Sequence, residues 1–450
     1  MSTSNSTILA DGKTRYDAVV VGGGIAGLQA ALDLADQDYH VLVVEKSTSI
    51  GGRMIALSKV FPTLDCASCI TTPKMSAAAH HPRITLLTHT TVEALTPAND
   101  GHRLTLTRQP LYVDPDLCIG CRLCEYECPV EYPDAFEEGL GSIRAIAVPF
   151  TNAIPQYAVL NPEFCIACGA CAKVCPTDAI KFEQQPETYT IATDAVVLAT
   201  GFKLNSPTAL KPQYNAADSK NVLSPMQLER LLAPHGPFGR VVRPSDGKVP
   251  DSVAFVLCAG SRDQSIGVPY CSRVCCMYSI KQAMLLSGSL PIADLTIYYM
   301  DIRTFGKGYE QFYQNAKAMG INFVKGKVAR ITPAENGDLM LRVEHEEEDG
   351  CVRENRHDLV VLANGIMPGL ESPGRLGAVQ AGDGFIKQPD PARPAWTGHD
   401  GIFVAGVAAG PKDIVDSIVE AGAAAMEASR YLSSLRPKTR QADAALTETV

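Results

Sequence analysis

The sequence lacks the marks of a membrane-spanning, exported or nucleic-acid-binding protein. No apolar run approaches the roughly 18 residues that a membrane-spanning helix needs. Lys and Arg are outnumbered, 40 against 49 Asp and Glu, and they form no basic cluster of the kind that binds nucleic acid. The first residues, MSTSNSTILADGKTRY, contain no apolar core of a secretory signal. We therefore expect a cytoplasmic protein that neither spans a membrane nor binds nucleic acid.

The sequence also lacks the residue groups of a hydrolytic enzyme and the cysteine pattern of a disulfide-rich protein. It contains no evident Ser-His-Asp set or paired carboxylates, and its 9 histidines are scattered. The 15 cysteines are mostly grouped instead of being spread along the chain, which indicates metal binding rather than disulfides. The length of 450 residues and a hydrophobic content of 46% fit two or three globular domains with full cores.

Two runs of four cysteines share the spacing C-x2-C-x2-C-x3-C-P, which is typical of proteins that bind [4Fe–4S] clusters. In a two-cluster ferredoxin the fourth cysteine of each run binds the cluster of the other run. We therefore predict two clusters with crossed ligands. The predicted sets are Cys118, Cys121, Cys124 and Cys175 for one cluster, and Cys165, Cys168, Cys171 and Cys128 for the other.

A dinucleotide-binding unit precedes these runs. An apolar strand leads into Gly22-x-Gly24-x-x-Gly27, a helix rich in small residues follows, and a second strand ends at Glu45. The glycines allow a tight turn that brings the helix N-terminus close to a pyrophosphate, and the acidic residue is placed to bind ribose hydroxyls. With strand, helix, second strand and acid in this order, the pattern strongly indicates a bound dinucleotide.

Three further stretches favour FAD over NAD. Gly52 and Arg53 follow the acidic residue, the strand YTIATDAVVLATGF ends in Ala-Thr-Gly, and DGIFVAGVAAGPKDI resembles the closing strand of flavoproteins with two dinucleotide-binding domains. The predicted FAD-binding residues are Gly22, Gly24, Gly27, Glu45, Lys46, Gly52, Arg53, Val92, Ala199, Thr200, Gly201, Gly406, Lys412 and Asp413.

The middle of the chain lacks a second glycine fingerprint. Its candidate strand, SVAFVLCAGSRDQ, ends in Cys-Ala-Gly-Ser-Arg without the G-x-G-x-x-G/A of a pyridine-nucleotide site. The strand LTIYYMD follows at roughly the distance expected of a Rossmann-like layout. We expect a Rossmann-like domain that does not bind NAD(P)H in the usual way.

A third cysteine group stands where that phosphate-binding loop would be. It comprises Cys258, Cys271, Cys275 and Cys276. The last two open a predicted helix, where neighbouring side chains can face one centre. We interpret the group as an iron–sulfur site, with zinc or packed thiols as alternatives. For Cys66 and Cys69, a C-x2-C pair, three interpretations stay open: a redox disulfide, half of a metal site, or two packed thiols.

Several stretches of the sequence are closely similar to one family, the A subunits of heterodisulfide reductase. Among them are FPTLDC, YVDPDLCIGCRLCEYECPVEYPDAFEEGLG, PYCSRVCCMYSIKQA, YYMDIRTFGKGYEQFY and AGVAAGPKDI. The resemblance covers nearly the whole chain. It implies an α/β fold with a thioredoxin-reductase-like FAD-binding Rossmann core, a Rossmann-like second domain and an inserted ferredoxin domain with two clusters. It further implies a cytoplasmic oxidoreductase that contains FAD and [4Fe–4S] clusters.

The resemblance also implies residue roles and partners. The third cysteine group matches the family's cluster beside the flavin, so three clusters are expected. Lys281 matches a lysine near the isoalloxazine, where a positive charge favours the anionic reduced flavin. The expected partners are B- and C-type subunits or membrane- or quinone-linked equivalents, a second copy of the chain, and ferredoxin. The expected function is to split or relay electrons between a two-electron reaction at FAD and one-electron [4Fe–4S] carriers, one form being bifurcation to ferredoxin and a disulfide-reducing subunit.

The sequence departs from the methanogen subunits at both ends. It starts at the FAD strand and ends in LRPKTRQADAALTETV, so we expect a short form without the extra N-terminal domain and the C-terminal ferredoxin. The expected division is an FAD-binding domain (1–108, 188–245 and 351–435), an inserted ferredoxin domain (109–187), a Rossmann-like middle domain (246–350) and a flexible tail (436–450).

Two other functions fit parts of the pattern. A stand-alone ferredoxin–NAD(P) oxidoreductase would explain FAD and the clusters, but it needs the glycine fingerprint that the middle domain lacks. A scaffold that binds zinc through its cysteines would contain no iron.

Overall fold

The computed structural model describes residues 9, 11–216, 218–346, 350–370 and 373–435. The predicted flexible tail, residues 436–450, lies outside the described residues. None of the described helices is both long and apolar enough to cross a membrane. The helices, numbered in chain order, are α1 (Ile25–Ala35), α2 (Ala67–His80), α3 (Leu123–Glu127), α4 (Ala170–Val174), α5 (Pro207–Tyr214), α6 (Pro225–Leu232), α7 (Cys275–Ser289), α8 (Tyr309–Ala318) and α9 (Ile414–Leu435).

The strands form two large sheets and three small two-stranded pairs. They are β1 (Arg15–Val21), β2 (Val41–Val44), β3 (Ile84–Leu87), β4 (Thr90–Ala98), β5 (Gly101–Arg108), β6 (Glu131–Pro133), β7 (Ser142–Arg144), β8 (Ile146–Ala147), β9 (Val159–Leu160), β10 (Glu187–Leu198), β11 (Phe202–Leu204), β12 (Val222–Leu223), β13 (Ser252–Val256), β14 (Asp294–Tyr299), β15 (Asn322–Pro333), β16 (Leu339–His345), β17 (Cys351–His357), β18 (Leu359–Leu362), β19 (Ile366–Pro368) and β20 (Ile402–Val404).

The first sheet has the strand order β3-β2-β1-β10-β5-β4, with β20 paired to β10. The strands β3, β2, β1, β10 and β20 are mutually parallel, as in a dinucleotide-binding fold. Their sequences are continuous apolar runs, such as VLVV in β2, because the strands of a parallel sheet are covered on both faces. On one side α1 packs against α9, and alanines such as Ala31, Ala424 and Ala428 let the two helices approach closely.

The inserted ferredoxin segment leaves and re-enters this sheet at one point. β5 and β10 are antiparallel neighbours in which Arg108 lies opposite Glu187. Just beyond them the two chain ends stay together, because the Lys181 N–H donates to Tyr112 O at 3.0 Å. The segment also has a small apolar core of its own. An insertion whose ends lie side by side and whose core is separate leaves the sheet that carries it intact.

The middle sheet has the strand order β12-β18-β13-β14-β15-β16-β17. Its composition differs from the division expected from sequence. β12 comes from the range expected to be FAD-binding, and so do β17 and β18. β16 and β17 pair continuously, from Leu339 opposite His357 to His345 opposite Cys351. β17 therefore belongs to the same sheet as β16.

His357, the last residue of β17, is a buried group of this sheet. Its Nδ1 lies 2.8 Å from Ser252 Oγ, and its Nε2 lies 2.9 Å from Tyr298 OH. Burial lowers the pKa of His357 from 6.5 to about 4. The imidazole is therefore neutral at pH 7, and the folded protein resists its protonation.

We expect the fold to lose stability as the pH falls from 6.5 towards 4, because only the unfolded chain then binds a proton at His357. The full effect of such a pKa gap is about 3 kcal/mol. The thermal midpoint should drop between about pH 7.5 and about pH 5, and the drop should be smaller in His357→Gln. The same pH dependence in both proteins would show that His357 does not contribute.

Candidate functional site

A large cavity lies where the two sheets and the inserted segment meet. Its volume is about 1060 Å³. The first sheet contributes the turn after β1 and the ends of β2 and β10, while α7 of the middle domain and residues 132–163 of the inserted segment contribute to the remaining walls. Ligands of α/β sheets bind in this position, beyond the carboxyl ends of the parallel strands.

The turn between β1 and α1 is shaped to let a ligand approach its backbone. Gly22 has a φ of 112°, and a Cβ there would lie 2.3 Å from Ala199 O. A Cβ on Gly27 would lie 1.9 Å from Gly22 O, so this glycine lets α1 begin directly against the turn. Gly24 lines the cavity, and a Cβ there would meet no protein atom closer than 3.9 Å. The open space beside Gly24 and the helix N-terminus fits the pyrophosphate of a dinucleotide.

Glu45, which follows β2, supports this turn. Its carboxylate accepts hydrogen bonds from the N–H groups of Gly23 at 2.7 Å and Ser47 at 2.8 Å. A carboxylate oxygen has two lone pairs, so each oxygen can still accept a hydroxyl. Glu45 is therefore able to hold the turn and a ribose at the same time.

Most of the predicted FAD-binding residues line this one cavity. They are Gly22, Gly24, Glu45, Lys46, Gly52, Arg53, Val92, Ala199, Thr200, Gly201, Lys412 and Asp413, and Lys281 lines it as well. Gly27 and Gly406 are not among the residues that line the cavity. A Cβ on Gly406 would lie 2.7 Å from the Cβ of Ala26, so both glycines serve the close packing of α1.

Lys281 lies in the cavity wall, but its charge is compensated. Its ammonium donates to the Glu229 carboxylate and to Lys59 O, the latter at 2.9 Å, and both charged side chains are only 2% exposed. Glu229 also accepts from Ser58 Oγ at 2.7 Å and from Gln282 Nε2 at 2.6 Å. Burial alone would raise the pKa of Glu229, but Lys281 and the other donors hold it below its ordinary value. The site thus contains a buried ion pair where the sequence predicted a lone cation.

Sequence reasoning missed Glu229. α6 reads PMQLERLL, and both Glu229 and Arg230 are buried. Two charged residues in a helix that is otherwise mostly apolar could have indicated buried ion pairs, because charged side chains are buried only where they have partners. The sequence did not show which partners these were.

The third cysteine group is assembled beside the cavity. Cys258 follows β13 in a left-handed conformation, Cys271 lies in the next loop, and Cys275 and Cys276 open α7. Burial and the nearby thiols raise the pKa of Cys276 to about 12. Tyr278 contacts the Cys275 thiol and also lines the cavity. One side chain therefore connects this group to the cavity.

The inserted segment contains two small cavities of about 20 Å³ each. One is lined by Cys118, Cys121, Cys124 and Cys175, and the other by Cys128, Cys165, Cys168 and Cys171. The two groups correspond to the crossed ligand sets that the spacing of the runs predicts. Burial raises the pKa of the Cys124 thiol to about 12, so a cluster that binds it must also displace its proton.

The same backbone turn occurs in both runs. Gly120 and Arg122 have φ values of 66° and 64°, and Ala167 and Gly169 have values of 56° and 70°. A left-handed conformation costs a non-glycine residue about 1–2 kcal/mol. Such strain is found where the surroundings impose it, as they do at ligand-binding turns. The repeat therefore supports a matched pair of binding turns.

The two small cavities differ in their distance from the large one. Leu160 lines both the large cavity and the small cavity around Cys165, and the residues that lead up to Cys165, from Asn161 to Glu163, also line the large cavity. In the part of the chain that the structure describes, no lining residue of the cavity around Cys118 is shared in this way. The site that contains Cys165 is therefore the nearer one.

Within the described ranges, no three His, Cys, Asp or Glu side chains are arranged to hold one metal ion. A zinc site needs such convergence, because four ligands surround a single ion. The thiolates of a [4Fe–4S] cluster bind separate iron atoms and are spread around a cube.

Cys66 and Cys69 form a pair at the start of α2. Cys66 caps the helix and accepts a hydrogen bond from the Cys69 N–H at 3.2 Å, and the two thiols also interact directly. The interaction with Cys69 lowers the pKa of Cys66. Cys69 is exposed, and Cys66 is partly so. This arrangement favours a redox pair or half of a metal site over two thiols packed in a core.

Comparison with known structures shows the fold. Thioredoxin reductase from Lactococcus lactis aligns with a TM-score of 0.52 over 93% of this chain and 100% of its own, at 14% identity. The enzyme from T. acidophilum aligns with a TM-score of 0.51 over 94% and 100%, at 15% identity. The NAD(P)-binding Rossmann-like domain family matches residues 20–64, and the 4Fe-4S binding domain family matches residues 111–131 and 158–181. Fold and site together define a flavin-binding oxidoreductase that carries an inserted iron–sulfur module.

Curated relatives specify the family. The A subunit of the H(2):CoB-CoM heterodisulfide,ferredoxin reductase of Methanothermobacter thermautotrophicus is 43% identical over 419 residues, which are 92% of this chain and 63% of that protein. One of the iron–sulfur A subunits of the CoB--CoM heterodisulfide reductase of Methanopyrus kandleri is 45% identical over 425 residues, 93% and 64% of the two proteins. Over more than nine tenths of its own length the chain is similar to heterodisulfide reductase A subunits, and it spans less than two thirds of the length of these relatives. The predicted resemblance to this family and the predicted fold class are confirmed.

We expect Gly24→Ala to fold normally but to bind FAD at least roughly tenfold more weakly, because the added methyl group meets the ligand and not the protein. Gly27→Ala should instead lower the thermal midpoint, because its Cβ would collide with Gly22 O. Flavin absorbance per chain and the thermal midpoint of both variants distinguish the two effects. Full FAD occupancy in Gly24→Ala would contradict the placement of the pyrophosphate at this turn.

We expect Cys66 to react with iodoacetamide at a lower pH than Cys351, an exposed thiol on β17, because the interaction with Cys69 favours its thiolate. Mass spectrometry of the alkylated peptides gives both pH profiles in one sample. Cys69→Ala, which removes the side-chain donor, should move the profile of Cys66 to higher pH. Matching profiles in the wild-type protein would rule out an activated thiol.

Proposed function

We propose that this chain is the FAD- and iron–sulfur-containing electron-transfer subunit of a heterodisulfide-reductase-like complex. When bound, FAD supplies the conversion between two-electron and one-electron chemistry. One observation carries the proposal: the same cavity is walled by Tyr278, which contacts the third cysteine group, and by Leu160, which also lines an inserted cluster site. A cofactor in this cavity has one group of cluster ligands on each side.

The buried pair of Lys281 and Glu229 is neutral overall but contains a cation that can respond to reduction. The ammonium of Lys281 can turn towards negative charge that appears in the cavity, and Glu229 compensates for the ammonium when that charge is absent. Ser58 and Gln282 keep Glu229 hydrogen-bonded in either case. The pair thus lowers the cost of placing negative charge at a site that excludes water.

We propose three [4Fe–4S] clusters, and two routes for electrons. One route passes Tyr278 to the third cysteine group. The other passes Leu160 to the cluster of Cys165 and continues to the cluster of Cys118, because only the first of these sites borders the cavity. The inserted segment would then act as a tethered carrier in place of a diffusing one.

The turn after β13 does not favour the alternative function, that of a stand-alone ferredoxin–NAD(P) oxidoreductase. Protein atoms pack closely against this turn: Asn205 Nδ2 donates to Gly260 O at 2.5 Å, and a Cβ on Gly260 would lie 2.2 Å from the same nitrogen. α7 begins only at Cys275, so its first turn presents thiols instead of a phosphate-binding loop.

Both relatives are named for CoB-CoM heterodisulfide, and the Methanothermobacter protein is named for ferredoxin as well. By analogy we propose that this chain works in the cytoplasm as a homodimer with B- and C-type or membrane- or quinone-linked subunits, and that it splits or relays electrons to ferredoxin. Exposed apolar side chains beside the cysteine runs support contact with protein partners, namely Ile119, Tyr126 and Ile166, which are 69%, 75% and 65% exposed.

We expect anaerobically purified protein to contain about twelve iron atoms per chain, four for each of three clusters. Cys276→Ser should lower the count by about four and leave the EPR signals of the inserted clusters unchanged. Cys175→Ser should remove the cluster of Cys118 and spare that of Cys165, because the ligands cross. Zinc in place of iron would overturn the proposal. About eight iron atoms per wild-type chain would contradict a cluster at the third cysteine group and leave the two inserted clusters.

The same preparation tests the alternative. NADH or NADPH alone should leave the flavin absorbance unchanged under anaerobic conditions, since the turn after β13 lacks the glycine fingerprint of a pyridine-nucleotide site. Rapid bleaching by either nucleotide would favour the ferredoxin–NAD(P) oxidoreductase.

A further inference from the structure

A hairpin of the inserted segment reaches over the large cavity. This hairpin, residues 131–144, consists of β6, β7 and the turn between them, and we call it the arm. Both of its strands and its turn line the cavity, through Tyr132, Asp134, Ala135, Phe136, Glu138, Ile143 and Arg144. β6 and β7 are only three residues long and pair only with each other. Two strands of this length are not stable alone, so the position of the arm depends on other contacts.

One buried ion pair fixes the turn of the arm to α6. Glu137 accepts two hydrogen bonds from Arg230, from Nε at 2.9 Å and from Nη2 at 3.0 Å. The third nitrogen, Nη1, donates to Ala56 O at 3.0 Å. The side chains of Arg230 and Glu137 are 5% and 14% exposed. The planar guanidinium thus joins the arm, α6 and the loop before α2 in a geometry that a lysine cannot reproduce.

Neighbouring groups reinforce this contact. The Phe136 ring lies 4.6 Å from the guanidinium of Arg230 and stacks on Phe150 at 4.5 Å. Gln227 of α6 donates to Glu138 O at 3.2 Å. A cation–π contact is stronger where the cation is shielded from water, and the Arg230 side chain is only 5% exposed. The turn of the arm is therefore held by α6 and not by the rest of the inserted segment alone.

We propose that the arm is a clasp that retains FAD in the cavity, and that the pair of Arg230 and Glu137 is its latch. The inference rests on the proposed function only in taking FAD as the ligand of the cavity. The remaining lining comes from the two sheets, from the loop before α2 and from other parts of the inserted segment. The arm itself is held by side-chain contacts: Arg53 lies 3.9 Å from Glu138, and Leu140 packs against the middle-domain core. The pair of Arg230 and Glu137 is the most buried ionic contact of the arm. The clasp also holds the inserted cluster sites in a fixed position beside the cavity.

The test uses the FAD-loaded, cluster-containing protein. Glu137→Gln should release FAD at least tenfold faster, read as the rise of free-flavin fluorescence after dilution, while the iron content stays at the wild-type value. Arg230→Lys keeps the positive charge but cannot donate two parallel hydrogen bonds to Glu137. Its rate of FAD release should therefore lie between the rates of the wild type and of Glu137→Gln. An unchanged release rate in Glu137→Gln would overturn the clasp.

The middle domain offers a matched control. Arg243 and Asp338 form an ion pair of 3.0 Å whose side chains are 8% and 14% exposed, and neither residue lines the cavity. Asp338→Asn should lower the thermal midpoint as Glu137→Gln does, but it should leave FAD release unchanged. Equal acceleration of release by both variants would mean general destabilisation and would overturn the inference.

Hydrogen exchange of the wild-type protein tests the clasp without any variant, and it therefore remains informative if a variant does not fold. Amides of residues 131–144 should exchange more slowly with FAD bound than without it, and equal exchange would overturn the clasp. The two proposals fail separately: a wild-type protein that binds no FAD refutes the proposed function, whereas one that binds FAD with no change in the arm refutes the clasp alone.

Discussion

A buried ionic cluster on α6 is the constraint on which the site depends. Glu229 and Arg230 are adjacent in sequence, yet they bind to different parts of the molecule. Glu229 pairs with Lys281 of the middle domain, and Arg230 pairs with Glu137 of the inserted segment. Removing one partner of a buried ion pair typically costs about 3–5 kcal/mol, because the other charge is then left without compensation. The middle domain and the inserted segment are therefore both tied to this one short helix.

This arrangement explains why a ferredoxin-like segment can interrupt a flavin-binding core. The insertion is harmless to the sheet, because it starts and ends at neighbouring strands, β5 and β10. It becomes useful because its arm returns to α6 and places one cluster site at the wall of the cavity. The middle domain has a comparable feature: Cys275 and Cys276 open α7, and the glycine fingerprint of a pyridine-nucleotide site is missing from the turn after β13. Both changes direct the cavity towards cluster ligands.

The sequence was informative wherever function depends on local chemistry. The glycine turn at Gly22, the acid at Glu45 and the spacing of the cysteine runs are patterns within a few residues, and they predicted the dinucleotide cavity and the grouping of the cysteines. The buried pairs could not be predicted in this way. Glu229 and Lys281 are 52 residues apart, and Glu137 and Arg230 are 93 apart, so only the fold brings them together.

The boundary of the middle domain shows the same limit. β17 is an edge strand in which most residues are exposed, and composition alone therefore did not assign it to the sheet in which it pairs with β16. Strand pairing depends on register with a partner, and a partner is a property of the fold.

The central claim is that the FAD cavity connects the two groups of clusters. The most direct measurement is a stopped-flow experiment in which fully reduced protein, with and without FAD, is mixed anaerobically with a one-electron acceptor. Freeze-quench EPR then follows the cluster of the third cysteine group and the inserted clusters separately. We expect both groups of clusters to be oxidised at the same rate when FAD is bound. When FAD has been removed, one group should be oxidised much more slowly than the other. Equal and rapid oxidation of both groups without FAD would contradict the central claim.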